Sequence, residues 1–395
     1  MIGLVGALGI AQIISWGSLY YAIGVLGPEM RADLGVSELF LFASFTVGLL
    51  AAGVLAPAAG RLIDRKGGRT VLSSGSILGA VSMIVLALAT NEVVLILGWV
   101  IAGAAMSATL YDPAFATLSQ HAGDRYRRAV TALTLLGGFA STVFWPLSHL
   151  LLEAWGWRAT LGIYAGMHLL ICLPLHALVI PPAMQSSRGQ GHATDPAARS
   201  PAFESPSLFW LNAAFATANL VVGVIAVHMV GLLSGAGLTA AQAVTVSMLM
   251  GPMQVAGRVI EITFLARVRA TLVGAGAFLL IVLALVLLAA GSGNGALAIA
   301  FVVAYGCGNG ILTIVRGAAP AELYGSRGLG ELLGYLARAS SYARALAPAG
   351  YSLMLTIGFT QSTAMGALAA MLIAGLACYA IATRGSSRTI ESKHS

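Results

Sequence analysis

The sequence predicts an all-α membrane protein with twelve transmembrane helices in two pseudo-symmetric six-helix bundles. Three observations predict it. Hydrophobic residues fill 58% of the 395 positions and charged residues only 9%, with a mean hydropathy of +0.89, too little polar surface for a water-soluble domain of this size. Apolar runs of the ~20 residues needed to cross the hydrocarbon layer recur along the whole chain. The basic residues gather on alternate connecting segments, as the positive-inside rule requires of a multi-pass protein.

The runs cover 3–27, 39–60, 70–90, 93–118, 128–152 and 158–180, then 207–233, 240–264, 271–291, 295–319, 329–356 and 362–383. The first has no basic n-region and continues as a long Gly-rich helix, so it reads as a span and not a cleaved signal peptide. Between Pro181 and Pro206 the chain turns polar and carries Pro182, Pro196 and Pro201, the composition of a solvated linker. The expected organisation is a bundle over 1–180, a linker over 181–206, and a second bundle over 207–395 ending in a short tail.

With the N-terminus inside, one side receives the basic residues of 61–69, 125–128, the linker, 267–269, Arg327 and the tail, while the other receives only Arg31 and Arg158. Both termini and the linker are therefore expected in the cytoplasm, with the chain in a bacterial inner membrane. The formal charge of +7 reports this orientation and not a nucleic-acid partner. Cys172, Cys307 and Cys378 lie inside spans without paired spacing or a neighbouring His or Asp cluster, so no metal or cofactor is expected. A shift of 202 residues lays Gly35 on Gly237, Arg65 on Arg267 and Pro146 on Pro348, a faint internal repeat. A shift of 205 brings Tyr111 to Arg316.

Gly60-Arg61-Leu62-Ile63-Asp64-Arg65-Lys66-Gly67-Gly68-Arg69 joins the second and third spans. Its glycines permit a tight turn and close helix approach, and Asp64 can pair with arginines or cap a helix end. The stretch resembles the G-x-L-x-D-R-x-G-x-R signature of the major facilitator superfamily, which implies a cytoplasmic gate latch built from Gly60, Asp64, Arg65, Gly67 and Arg69. Pro113-Ala114, Arg127-Arg128-Ala129 and Gly137-Gly138 resemble the corresponding stretch of monocarboxylate transporters. The resemblance implies two six-helix halves with a substrate site at their interface near mid-membrane. It also places Arg258, in the eighth span, where monocarboxylate and oxalate/formate carriers hold a substrate carboxylate. Those carriers pair that arginine with an aspartate where this chain has Gln254, and their lysine in the first helix falls near Tyr21. Trp99 stands where many drug antiporters carry an arginine.

Arg258, Arg316, Arg338 and Arg344 all fall inside apolar spans. Each costs about 2.5–3.5 kcal/mol at a helix centre, on the order of 10–14 kcal/mol for four before pairing or hydration. Glu261 is the acid nearest them, so a positive surplus persists, and such a surface attracts anions. Arg258, Arg316 and Arg338 are the candidate anion ligands, the planar fork of arginine taking a carboxylate in two parallel bonds. Gln254, Tyr20, Tyr21 and Tyr111 are the accompanying binding candidates. Asp112, Glu261 and His228 are the proton or counter-ion candidates. Structural readings stand beside these: Arg258 pairing with Glu261, Arg316 with Asp112, Arg344 lining an outer vestibule, and His228 as a packing residue.

The expected function is secondary transport of a small mono- or dicarboxylate-like anion by alternating access, in symport or exchange, by a monomer in the bilayer, with the proton as candidate coupling ion. No catalytic constellation points to an enzyme. The alternatives are a proton-driven exporter of drugs or hydrophobic metabolites, and a membrane sensor without flux.

Overall fold

The computed structural model describes residues 1–182, 201–291 and 293–391. Among them all regular structure is helical. Among the described residues nine stretches are long and apolar enough to cross a membrane, and one of these, Glu92–Val179, runs for 88 residues, several times the ~20 needed for one crossing. Its backbone turns at Leu110, at Gly123–Arg125 and at Gly156. The second and third of these turns divide the run into three membrane helices, and the Arg-bearing helix Leu329–Thr356 completes twelve. That helix falls outside the apolar count because Glu331, Arg338 and Arg344 lie along it.

We number the helices α1 (Ile2–Leu34), α2 (Glu38–Lys66), α3 (Gly68–Ala87), α4 (92–122), α5 (126–155), α6 (157–179), α7 (Pro206–Gly235), α8 (Ala240–Leu265), α9 (Ala270–Ala290), α10 (Gly295–Tyr324), α11 (Leu329–Thr356) and α12 (Gln361–Glu391). Several overrun their apolar windows. α2 continues to Lys66 and α10 to Tyr324, since charged end turns keep their helical bonds beyond the hydrocarbon. Most of the linker expected over 181–206 lies outside the described residues, and Pro201–Glu204 forms a short 3₁₀ turn.

The chain divides into two compact units, Met1–Ser200 with Ser326–Arg338, and Pro201–Gly325 with Ala339–Ser395. The 202-residue repeat is written into the local geometry of each. Gly35, Gly123 and Gly156 have positive φ in the first, and Gly237, Gly325 and Gly358 in the second. These six turns end or join helices in a conformation only glycine adopts freely. Ser37 caps α2 by accepting from the Phe40 amide at 3.1 Å, and Thr239 caps α8 by accepting from the Gln242 amide at 3.3 Å. The start of α3 is held by Gln120, whose Oε1 accepts from Gly68 N at 3.2 Å. At the same shift, Glu322 accepts from Ala270 N at 2.6 Å, from Thr271 Oγ1 at 2.8 Å and from Arg269 Nε at 3.2 Å, holding the start of α9. Each cap satisfies an amide that a helix terminus leaves open.

Candidate functional site

The loop motif is built around the start of α11. Asp64, in the last turn of α2, accepts from the Gly330 amide at 3.0 Å and the Glu331 amide at 2.7 Å, a carboxylate on the positive end of a helix. The approach needs glycine on both sides. A Cβ at Gly60 would fall on the Gly330 carbonyl, and one at Gly334 on the Ala56 carbonyl. Arg61 Nη1 lies 3.4 Å from Glu331 Oε1. Gly67, at φ 82, makes the turn into α3, while Arg65 is exposed and Arg69 half-buried. Asp64 thus meets the kind of helix end its chemistry calls for.

In the first unit a π-helical turn, Gly17–Tyr21, rotates the aromatic residues of α1 into one cluster. Trp16 lies 5.3 Å from Tyr20, 6.1 Å from Tyr21 and 5.2 Å from Tyr111 between ring centroids. Phe45, Trp145 and Phe115 extend the cluster. Asp112 is half-buried at the start of the second segment of α4, within electrostatic reach of the Tyr126 hydroxyl.

Gln12, which the sequence did not single out, positions this cluster. Pro113 has no amide proton to give the carbonyl of Thr109 one turn earlier. Gln12 Nε2 donates to that carbonyl at 2.6 Å, and Gln12 Oε1 accepts from Trp16 Nε1 at 3.1 Å. Gln12 is 0% exposed. Gln12→Leu keeps the volume and orphans a buried carbonyl, so it is expected to destabilise the protein by about 1–3 kcal/mol, read as a lower melting temperature in detergent. An unchanged melting temperature would mean that Thr109 needs no such donor.

In the second unit Arg258 is 3% exposed and Glu261 1%. They lie one turn apart, where α8 passes into the π-helical turn Glu261–Leu265. Gln254 and Gly257 press this part of α8 onto α10, for a Cβ at Gly310 would strike the Gln254 carbonyl and one at Gly257 the Cys307 carbonyl. The run Gly306-Cys307-Gly308-Asn309-Gly310 therefore serves close helix packing. Arg316, further along α10, is half-buried. Arg338 is exposed, its guanidinium 5.2 Å from the Tyr335 ring centroid. His228 Nε2 donates to the Pro348 carbonyl at 3.3 Å and its ring lies 4.7 Å from Tyr351.

Other polar residues were illegible in the sequence because single polar side chains in apolar helices leave no periodic signal. His168 and His176 are both fully buried in α6. Ser18 donates to the Ile14 carbonyl at 2.7 Å and so accepts from His168 Nε2 at 2.8 Å. His176 Nδ1 lies 2.8 Å from Ser76 Oγ and 3.1 Å from the Leu72 carbonyl. These bonds tie α6 to α1 and α3. Asn219 of α7, also unremarked in the sequence, bonds Arg344.

Twelve membrane-crossing helices, with a glycine-lined, acid-capped joint between α2 and the start of α11 inside the first unit, are the parts of a transporter architecture. The model of the Major Facilitator Superfamily matches residues 8–348, and the chain belongs to that superfamily, whose members are transporters and not enzymes. It is a multi-pass membrane protein. A stretch of 169 residues is 32% identical to the "Uncharacterized 38 kDa protein in 23S RNA operon" of Thermoproteus tenax, covering 42% of this chain and 44% of that protein. Another match, of 156 residues, is 31% identical to the multidrug resistance protein MdtL of Klebsiella pneumoniae (strain 342), covering 39% of this chain and 38% of that one. The matches thus span less than half of these curated relatives. Among solved structures, the human organic anion transporter MFSD10 superposes with a TM-score of 0.72 over 95% of this chain and 99% of that one, at 14% identity. The Escherichia coli fucose:proton symporter FucP superposes with a TM-score of 0.70 over 96% and 97%, also at 14% identity. Likeness at that identity is likeness of fold alone.

Proposed function

We propose that this chain is a secondary active transporter of a small organic anion, mono- or dicarboxylate-like, working as a monomer by alternating access in symport or exchange. The observation that carries the reading is embedded positive charge. Arg258 and Arg316 stand in the apolar helices α8 and α10 and Arg344 lies midway along α11, and among the described residues the acids of these helices other than Glu261 are Glu322, near the end of α10, and Glu331, near the start of α11. Placing them there costs about 2.5–3.5 kcal/mol each, a cost that an anion-binding role accounts for. Arg258 remains the foremost ligand, buried in this conformation and met by substrate when α8 is opened. Arg316 and Arg338 support it, with Tyr20, Tyr21, Tyr111 and Gln254 as further contacts and Asp112, Glu261 and His228 as proton or counter-ion sites. Gly60, Asp64, Arg65, Gly67 and Arg69 are the latch, on the cytoplasmic side of a bacterial inner membrane with both termini inside.

A second reading, proton-driven export of drugs, is favoured by the MdtL relatives and by the aromatic cluster lying near Asp112. One experiment separates the two. Proteoliposomes are supplied from outside with labelled lactate, benzoate or succinate, with and without a pH gradient, beside an ethidium efflux assay. Saturable anion uptake is the expected result, and proton-driven ethidium efflux without anion uptake overturns it.

A further inference from the structure

In the second unit α7 and α11 meet along a face where each has lost bulk or a hydrogen bond. Pro348 offers no amide proton to the carbonyl of Arg344 one turn earlier. That carbonyl faces Gly223 of α7, where a Cβ would lie 2.5 Å from its oxygen, so the backbones touch at this level. One turn before Gly223, Asn219 is 6% exposed and is held from both ends. Its Nδ2 donates to the Phe215 carbonyl at 2.9 Å, and its Oδ1 accepts from Arg344 Nη2 at 2.5 Å. The amide can have no other orientation, since a carbonyl only accepts and a guanidinium only donates.

The partner of Arg344 is therefore neutral. Among the described residues Arg344 forms no ion pair, and its Nε is buried with no hydrogen-bond partner. His228, the titratable group nearest on α7, is engaged with Pro348 and Tyr351. A carboxylate at position 219 would have neutralised the arginine while keeping the same contact. An amide orients the guanidinium and leaves its charge and part of its donor fork for a ligand.

We infer that Arg344, oriented by Asn219, is a carboxylate-binding group, and that Asn219 is the positioning residue that sets the sign of the ligand accepted. This rests on the anion reading above, and assigns to it a pair that the family signature does not mark. The decisive variant is Asn219→Asp, which preserves the acceptor for Arg344 and adds the charge, while giving up the Nδ2 bond to the Phe215 carbonyl. If the pair only fastens α7 to α11, the stronger ion pair offsets the lost bond to Phe215 to some degree in the melting temperature, and the KM for anions holds. On the inference, KM for labelled benzoate or succinate in proteoliposomes of the full chain rises at least about tenfold, whichever way the melting temperature moves. Arg344→Lys, keeping charge but not the fork, should raise KM less than Arg344→Gln. An unchanged KM in Asn219→Asp overturns the inference while the anion reading stands. Should that variant not insert, equal KM values for Arg344→Gln, Arg344→Lys and the unaltered protein overturn it instead. If the unaltered protein carries none of the anions, both readings fall together.

Discussion

Asp64→Ala is expected to loosen the start of α11 and to slow transport at least about tenfold. The carboxylate accepts two of the amides that begin the helix, at 3.0 and 2.7 Å. Hydrogen bonds to a charged group contribute about 1.5–3 kcal/mol each, and the helix dipole adds about 0.3–1 kcal/mol. A loss of only 2–3 kcal/mol shifts a two-state equilibrium by roughly 30- to 150-fold. The direct measurement is hydrogen exchange of the peptide spanning 326–338, in which the Gly330 and Glu331 amides lose protection. Asp64→Asn retains one acceptor oxygen and should lie between. Gly60→Val should match or exceed Asp64→Ala, because its first carbon would collide with the Gly330 backbone, which a side-chain rotation cannot relieve. Arg61→Ala should do little, since its bridge to Glu331 is 3.4 Å long with Arg61 half in solvent. Unchanged exchange in Asp64→Ala would remove the latch.

What the sequence made legible was local or periodic. Apolar run length is a property of consecutive residues, so the spans stood out by composition. The run 329–356 was legible in the same way, since its arginines are scattered among apolar residues, and the repeat that lays Pro146 on Pro348 agrees with it. Asp64 was legible because it sits in a contiguous loop signature, although that signature left open whether the carboxylate pairs with arginines or caps a helix end. The bond from Gln12 to Thr109 joins residues 97 apart in sequence, and nothing in either neighbourhood announces the other. Pro113 was the one available signal, since every proline within a helix frees a carbonyl that something must satisfy. The same logic, applied to Pro348, would have sent attention to Arg344 and to the small residue of α7 that faces its carbonyl. Arg258 illustrates the converse, for the sequence showed an arginine in an apolar helix but not that the chain encloses it.

That enclosure sharpens the test of the anion reading. Arg258 and Glu261 are both buried at the end of α8, so truncating the arginine removes positive charge beside a buried acid, and a loss of folding must be told from a loss of binding. Arg258→Lys keeps the charge and loses the planar fork, and should weaken anion affinity by about 1.5–3 kcal/mol, the scale of a charge-assisted hydrogen bond, or roughly ten- to a hundredfold. Arg258→Gln should be worse for anions. The companion variant Arg258→Gln with Glu261→Gln removes both charges and so avoids leaving an uncompensated buried carboxylate, the usual cause of collapse when one partner of such a pair is deleted. If Arg258 binds substrate, the double variant inserts and unfolds normally yet carries no anion. If it carries labelled benzoate or succinate with unchanged KM, Arg258 belongs to the structural charges of α8, and substrate recognition must be sought at Arg316 and Arg344.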